Sequence, residues 1–242
     1  MRRDRDPHAD WTSPQKRRPQ KPARSAPKPR PRDVARAQEL GRAEFTRRFE
    51  VSRETMERLD RYVALLTAWQ DRINLVAPST IGDVWMRHIA DSTVLERLLP
   101  SFGRSVDLGS GAGLPGLVIA ACRPGASVDL VESNAKKAAF LRTAQREIGA
   151  AGTVLAARIE DCSAALEGAE IVTARALASL DELLGLVGPH LSGSARCFFP
   201  KGRNHEQEIT EAAAHWRFSV VKHESGLDDG SVVLEIGDIA PR

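Results

Sequence analysis

Between Ser52 and Leu99 the apolar positions recur at helical spacing; beyond them they gather into short runs separated by glycine-containing loops. Met56, Leu59, Val63, Leu66 and Ile73 fall on one stripe, with Trp69 beside it. Ser52 as N-cap and Glu54 in the first turn predict where that helix starts, and it should end by Pro78. Residues 34–50 carry a weaker, more charged helical pattern. A further helix is predicted over 81–99, with Ile81, Val84, His88, Ile89, Leu95 and Leu99 on or near one face and Pro100 as its stop. Then the period changes. Strands are predicted at 105–108, 127–131, 153–157, 171–173 and 195–200, with helices at 115–122, 134–148, 180–191 and 206–216. Two closing strands, 218–223 and 232–236, flank the turn-rich Gly-Leu-Asp-Asp-Gly-Ser. Alternating strands and helices imply a mostly parallel sheet covered on both faces, and the closing pair implies an antiparallel edge.

Composition narrows the class. The chain has 242 residues, 42% hydrophobic and 28% charged, enough for one domain with a sizeable core. No apolar run is long enough to span a membrane, and the charged, Pro-rich beginning predicts no secretory leader. Cys122, Cys162 and Cys197 are widely spaced with no CxxC pair, which excludes a disulfide framework and a zinc knuckle and makes a reducing cytoplasm the expected compartment. No metal is expected. The net charge of +3 conceals an asymmetry: residues 1–32 hold 11 Lys/Arg against 3 Asp/Glu, and half of the 14 prolines. The rest of the chain is therefore net negative. We expect residues 1–45 to be a disordered basic tail, 46–102 a helical cap and 103–242 the α/β core. The tail reads either as an electrostatic arm for a polyanion or as a solubilising extension.

The segment 107–116, Asp-Leu-Gly-Ser-Gly-Ala-Gly-Leu-Pro-Gly, follows the first strand and opens a helix. Ligands bind at such a position in open α/β sheets. Gly111, Gly113 and Gly116 form a literal GxGxxG, so a dinucleotide must be considered. Asp107 argues against it, because a carboxylate at the loop would repel a pyrophosphate and would suit a cationic or amine-bearing ligand. The earlier start, Asp107-Leu108-Gly109, resembles motif I of class I S-adenosylmethionine (SAM) methyltransferases. Glu132, at the end of the second strand, is placed to accept both ribose hydroxyls of an adenosine, a test that NAD would also satisfy. Ile159 and Glu160 follow the third strand, near where an adenine amino group would lie. Arg175 ends the fourth strand and suits a phosphate or the Hoogsteen edge of guanine. Lys201 follows the fifth and reads as a phosphate contact or a surface lysine. His88, one turn before Asp91 and Ser92, reads first as a structural histidine.

Taken together, Arg72-Ile73-Asn74-Leu75, Arg87-His88 with Asp91-Ser92, the 107–116 loop, Asn134 with Lys136-Lys137, Arg158-Ile159-Glu160 and Arg175-Ala176-Leu177-Ala178-Ser179-Leu180 resemble one family. It is the bacterial 16S rRNA guanine-N7 methyltransferases, the glucose-inhibited division protein B family, and the likeness covers roughly residues 56–236. The resemblance implies a class I SAM-dependent fold, a Rossmann-like doubly wound sheet with an antiparallel C-terminal edge and an N-terminal helical cap. It implies methylation of one guanine in the 530 loop of 16S rRNA, on naked RNA or on the small ribosomal subunit. SAM contacts would fall on Gly109, Leu114, Ile159, Glu160 and Arg175, with Asp107, Gly111, Gly113 and Glu132 around the ligand. Asn74, His88, Arg175 and Lys201 would line the RNA side. The family's loop often carries proline where this chain has Ala112.

Guanine N7 already presents an unprotonated lone pair. Its methylation requires approach and alignment and no general base, so no catalytic acid–base residue is expected. Two other readings stay open at this point: a non-enzymatic rRNA-binding assembly factor on the same fold, and an NAD-dependent oxidoreductase.

Overall fold

The predicted strands pair as the register of their buried positions requires. In a computed structural model, which describes residues 30–227 and 230–242, they become β1 (Arg104–Leu108), β2 (Ser127–Val131), β3 (Val154–Leu155), β4 (Ile171–Ala174), β5 (Arg196–Lys201), β6 (Trp216–Glu224) and β7 (Val232–Pro241). Among the described residues these form one sheet in the order β3-β2-β1-β4-β5-β7-β6. β1 pairs in parallel with both β2 and β4, and β7 runs antiparallel to β5 and β6. The strand order reverses between β1 and β4, so a crevice opens beyond their carboxyl ends.

Helices cover both faces. α4 (Gly116–Cys122) and α5 (Ala135–Glu147) lie on one, α6 (Ser163–Glu167) and α7 (Leu180–Val187) on the other, and α8 (His205–His215) precedes β6. Asn134 caps α5 by accepting from the Lys136 and Lys137 amides, and Ser179 and Glu182 form a capping box on α7. Phe140 and Leu141 on α5 are fully buried and belong to a cluster that continues into the cap. Truncating Phe140 to Ala would cost about 3–5 kcal/mol.

The cap consists of α1 (Pro31–Arg48), α2 (Arg53–Gln70), a π-helical turn (Val84–Ile89) and α3 (Ala90–Leu98). Three sequence expectations change here. The tail cannot reach residue 45, because 31–48 is helical; Phe45 is fully buried, stacked on Phe49 with ring centroids 4.8 Å apart and tilted against Trp85 at 5.4 Å. Tertiary burial thus orders a segment whose charge suggested none, while residues 1–29 lie outside the described residues. The helix expected over 81–99 is interrupted by the π-helical turn. α2 stops at Gln70, whose side chain accepts from the Leu75 and Val76 amides and donates to the Val76 carbonyl, replacing another helical turn with a tight bend.

Candidate active site

The glycines after β1 each answer a local demand. Gly109, Gly111 and Gly113 have φ of +60°, +57° and +89°, conformations that favour glycine. A Cβ on Gly109 would sit 2.6 Å from the Leu177 side chain, and one on Gly116 would sit 2.8 Å from Asp107 Oδ2. The Ala112 carbonyl accepts a 2.7 Å hydrogen bond from the fully buried Tyr62 hydroxyl on α2, so the cap grips the loop directly. The sequence reading missed Tyr62, although the chain's single tyrosine within an apolar stripe was a usable signal.

Glu132 closes the loop from the other side. Its Oε2 accepts from the Gly111 amide at 2.9 Å and its Oε1 from the Asn134 amide at 2.7 Å. Each oxygen retains a further lone pair for a ligand hydroxyl. A cleft of about 410 Å³ brings together Gly109, Gly111, Glu132, Ile159 and Glu160 of the predicted contacts, with residues 176–178 as its far wall. Gly113 and Leu114 are buried beneath this cleft, where they pack the loop onto α4 and α5.

Asp107 lies under the loop as well, only 1% exposed. Its Oδ1 accepts from the Thr173 hydroxyl at 2.7 Å, and its Oδ2 has no good hydrogen-bond partner. Burial pushes its carboxyl up to about 6, against the opposing pull of Thr173, Ser110, the Gly116 amide and Arg175.

A second cleft of about 340 Å³ lies across residues 176–178, at the ends of β4 and β5, and is lined by Arg175, Asp91 and Lys201. Arg175 Nη2 is 3.5 Å from His88 Nδ1, and Nη1 is 3.9 Å from Asp91 Oδ2. A guanidinium only donates, so Nδ1 faces it as an acceptor and the ring carries its proton on Nε2, 2.9 Å from Thr80 Oγ1. Thr80 in turn donates to the Ala77 carbonyl. Burial, then Arg175 and Arg87, push His88 down to about 4, so it is neutral at physiological pH. The histidine expected on the RNA side is therefore a support for Arg175. Asn74 is exposed in a separate groove between α1 and α2, away from both clefts. Lys201, expected to face RNA, turns inward: its side chain is 8% exposed and pairs with Glu208 at 2.6 Å.

Among the described residues no cluster of His, Cys, Asp or Glu could hold a metal ion, and no helix is long and apolar enough to cross a membrane. The first cleft fits S-adenosylmethionine. It offers an acid for the ribose and glycines that leave room above β1, and beneath the loop lies a buried carboxylate oxygen without a partner, suited to a cationic ligand. The sheet order, the acid–glycine loop after β1 and the acid after β2 define a class I SAM-dependent methyltransferase.

Comparison with known proteins carries this further. Residues 55–228 match the model of the GidB family, rRNA small subunit methyltransferase G, and the chain belongs to that family. Ribosomal RNA small subunit methyltransferase G of Rhizobium etli is 48% identical over 194 residues, covering 78% of this chain and 95% of that protein. The Brucella ovis protein of the same name is 47% identical over 192 residues, covering 78% and 90%. Among solved structures, a predicted O-methyltransferase, protein Atu636 from Agrobacterium tumefaciens, aligns with a TM-score of 0.49 at 19% identity, covering 61% of this chain and 80% of that one. Neither an oxidoreductase nor a non-catalytic assembly factor is favoured by these matches.

Proposed function

We propose that this methyltransferase modifies N7 of a guanine in the 530 loop of 16S rRNA, in the cytoplasm. The observation that supports the reading is the pair of clefts that share residues 176–178 as lining, so that a base bound in the second would be a neighbour of a methyl donor bound in the first. S-adenosylmethionine supplies an electrophilic methyl group when bound. The protein's part is to bind, orient and exclude. Glu132 accepts ribose hydroxyls, Gly109 and Gly111 admit the ligand close to the backbone, and Leu177 covers Gly109 with apolar surface. Arg175, braced by His88 and Asp91, donates toward O6 of the guanine or a neighbouring phosphate and leaves the N7 lone pair free to face the methyl group. No residue needs to remove a proton, because N7 is already a free lone pair. The base must leave its stack or lie in an open loop to enter the second cleft. Asn74, exposed on the cap, is available to RNA flanking that base.

The test is chemical mapping of N7-methylguanine in 16S rRNA after incubation of small subunits with SAM and the protein. Modification of one 530-loop guanine is expected, and replacing that guanine with 7-deazaguanine should abolish transfer. Transfer to the 7-deaza substrate would overturn the N7 assignment.

A further inference from the structure

We propose that Glu208, on α8, is a positioning residue for this enzyme, acting with Lys201 to hold residues 175–179, the segment that separates the two clefts. One carboxylate oxygen does the holding. Glu208 Oε2 accepts from the Leu180 amide, the first of α7, at 2.9 Å, and from Lys201 Nζ at 2.6 Å. Lys201 Nζ also donates to the Ala178 carbonyl at 2.8 Å. The segment is therefore gripped at consecutive peptide units by an ion pair whose lysine is almost fully buried.

The segment needs such a grip. Ala176 has φ +51°, a left-handed conformation that a non-glycine residue keeps only when its surroundings over-determine it. Next to it, Leu177 is 37% exposed yet reaches over Gly109, closing one wall of the cofactor cleft. At the other end Arg175 is held by His88 and Asp91. Held at both ends and strained between them, residues 176–178 take one shape, and that shape sets two things at once: where Leu177 stands over the cofactor and how Arg175 enters the second cleft. Glu208 borders the second cleft but does not line the first, so its effect on cofactor binding runs through the segment. The same bonds explain why Lys201 is unsuited to hold a phosphate: two of its three N–H groups and its charge are already engaged.

The inference rests on the methyltransferase reading and is independent of which RNA atom is modified. Its test is SAM affinity by isothermal titration, with single-turnover methyl transfer and thermal stability measured alongside. Glu208→Ala should weaken SAM binding and slow transfer, each by about tenfold. Glu208→Gln, whose amide oxygen can take both bonds, should recover most of each. The decisive variant exchanges the partners, E208K with K201E. It restores the pair of opposite charges that Glu208→Ala breaks, without the two backbone bonds. It also leaves the Leu180 amide facing an ammonium and the Ala178 carbonyl facing a carboxylate, so SAM affinity and transfer should stay low. Wild-type affinity and rate in Glu208→Ala, or recovery of both in the exchanged pair, would overturn the proposal. Should Glu208→Ala lose its fold, Lys201→Met, which spares the bond to Leu180, carries the same comparison. Because SAM affinity is read without RNA, failure of the N7 assignment would leave this result standing.

Discussion

Asp107→Asn isolates the cost of a buried charge at the heart of the site. In the folded protein the Asp107 carboxyl titrates at about 6, against an ordinary 3.8, chiefly because it is buried. Below pH 3.8 it is protonated whether the chain is folded or not. Between the two values the unfolded chain ionises first, so the folded state loses stability steadily as pH rises. Above about 6 both states are ionised and the loss is complete. At about 1.4 kcal/mol per pH unit, the full loss is roughly 3 kcal/mol. Asparagine keeps the shape and can still accept from the Thr173 hydroxyl, but carries no charge. The variant should therefore gain on the wild type by roughly 3 kcal/mol as pH rises from about 4 to about 7. The assay is urea unfolding of both proteins across that range, comparing midpoints at constant slope. A stability gap that does not change with pH would refute the argument, since it would mean that Asp107 does not titrate in this window. The same variant should bind SAM more weakly, by about 1–3 kcal/mol, because an ionised carboxylate under the loop favours a cationic ligand above it.

Three further outcomes are expected. Glu132→Ala leaves the Gly111 and Asn134 amides without their acceptor and removes a ribose partner, so SAM affinity by titration calorimetry should fall by about 1–3 kcal/mol. Tyr62→Phe strands the Ala112 carbonyl in the interior; stability should drop by about 1–3 kcal/mol in denaturant melts, with weaker SAM binding because the loop loses its hold on the cap. Deleting residues 1–29 should leave the fold and SAM affinity unchanged while flattening the dependence of RNA binding on salt, and equal salt slopes for the two proteins would show that the basic segment does not touch RNA.

Much of the cofactor side was legible in the residue pattern because it depends on local demands. A short strand followed by glycines that must adopt positive φ, an acid at the next strand end, and Ser52 and Asn134 at helix starts are each readable within a few residues, and the structure places all of them as expected. The antiparallel closing pair was legible for the same reason. Its strands run longer than predicted, because Trp216 pairs with Pro241 across the sheet and only the partner extends the ladder. What escaped the sequence depends on groups far apart in the chain. Phe45 orders α1 by meeting Trp85; Tyr62 reaches Ala112; Lys201 turns from solvent to Glu208 and Ala178; His88 spends both ring nitrogens inside the protein and supports Arg175. Local pattern dictates which backbone conformations are cheap and which face of an element is apolar. Whether a polar side chain faces a ligand or a neighbour is decided by burial, which exists only once distant elements have packed and left each buried donor and acceptor to find its partner.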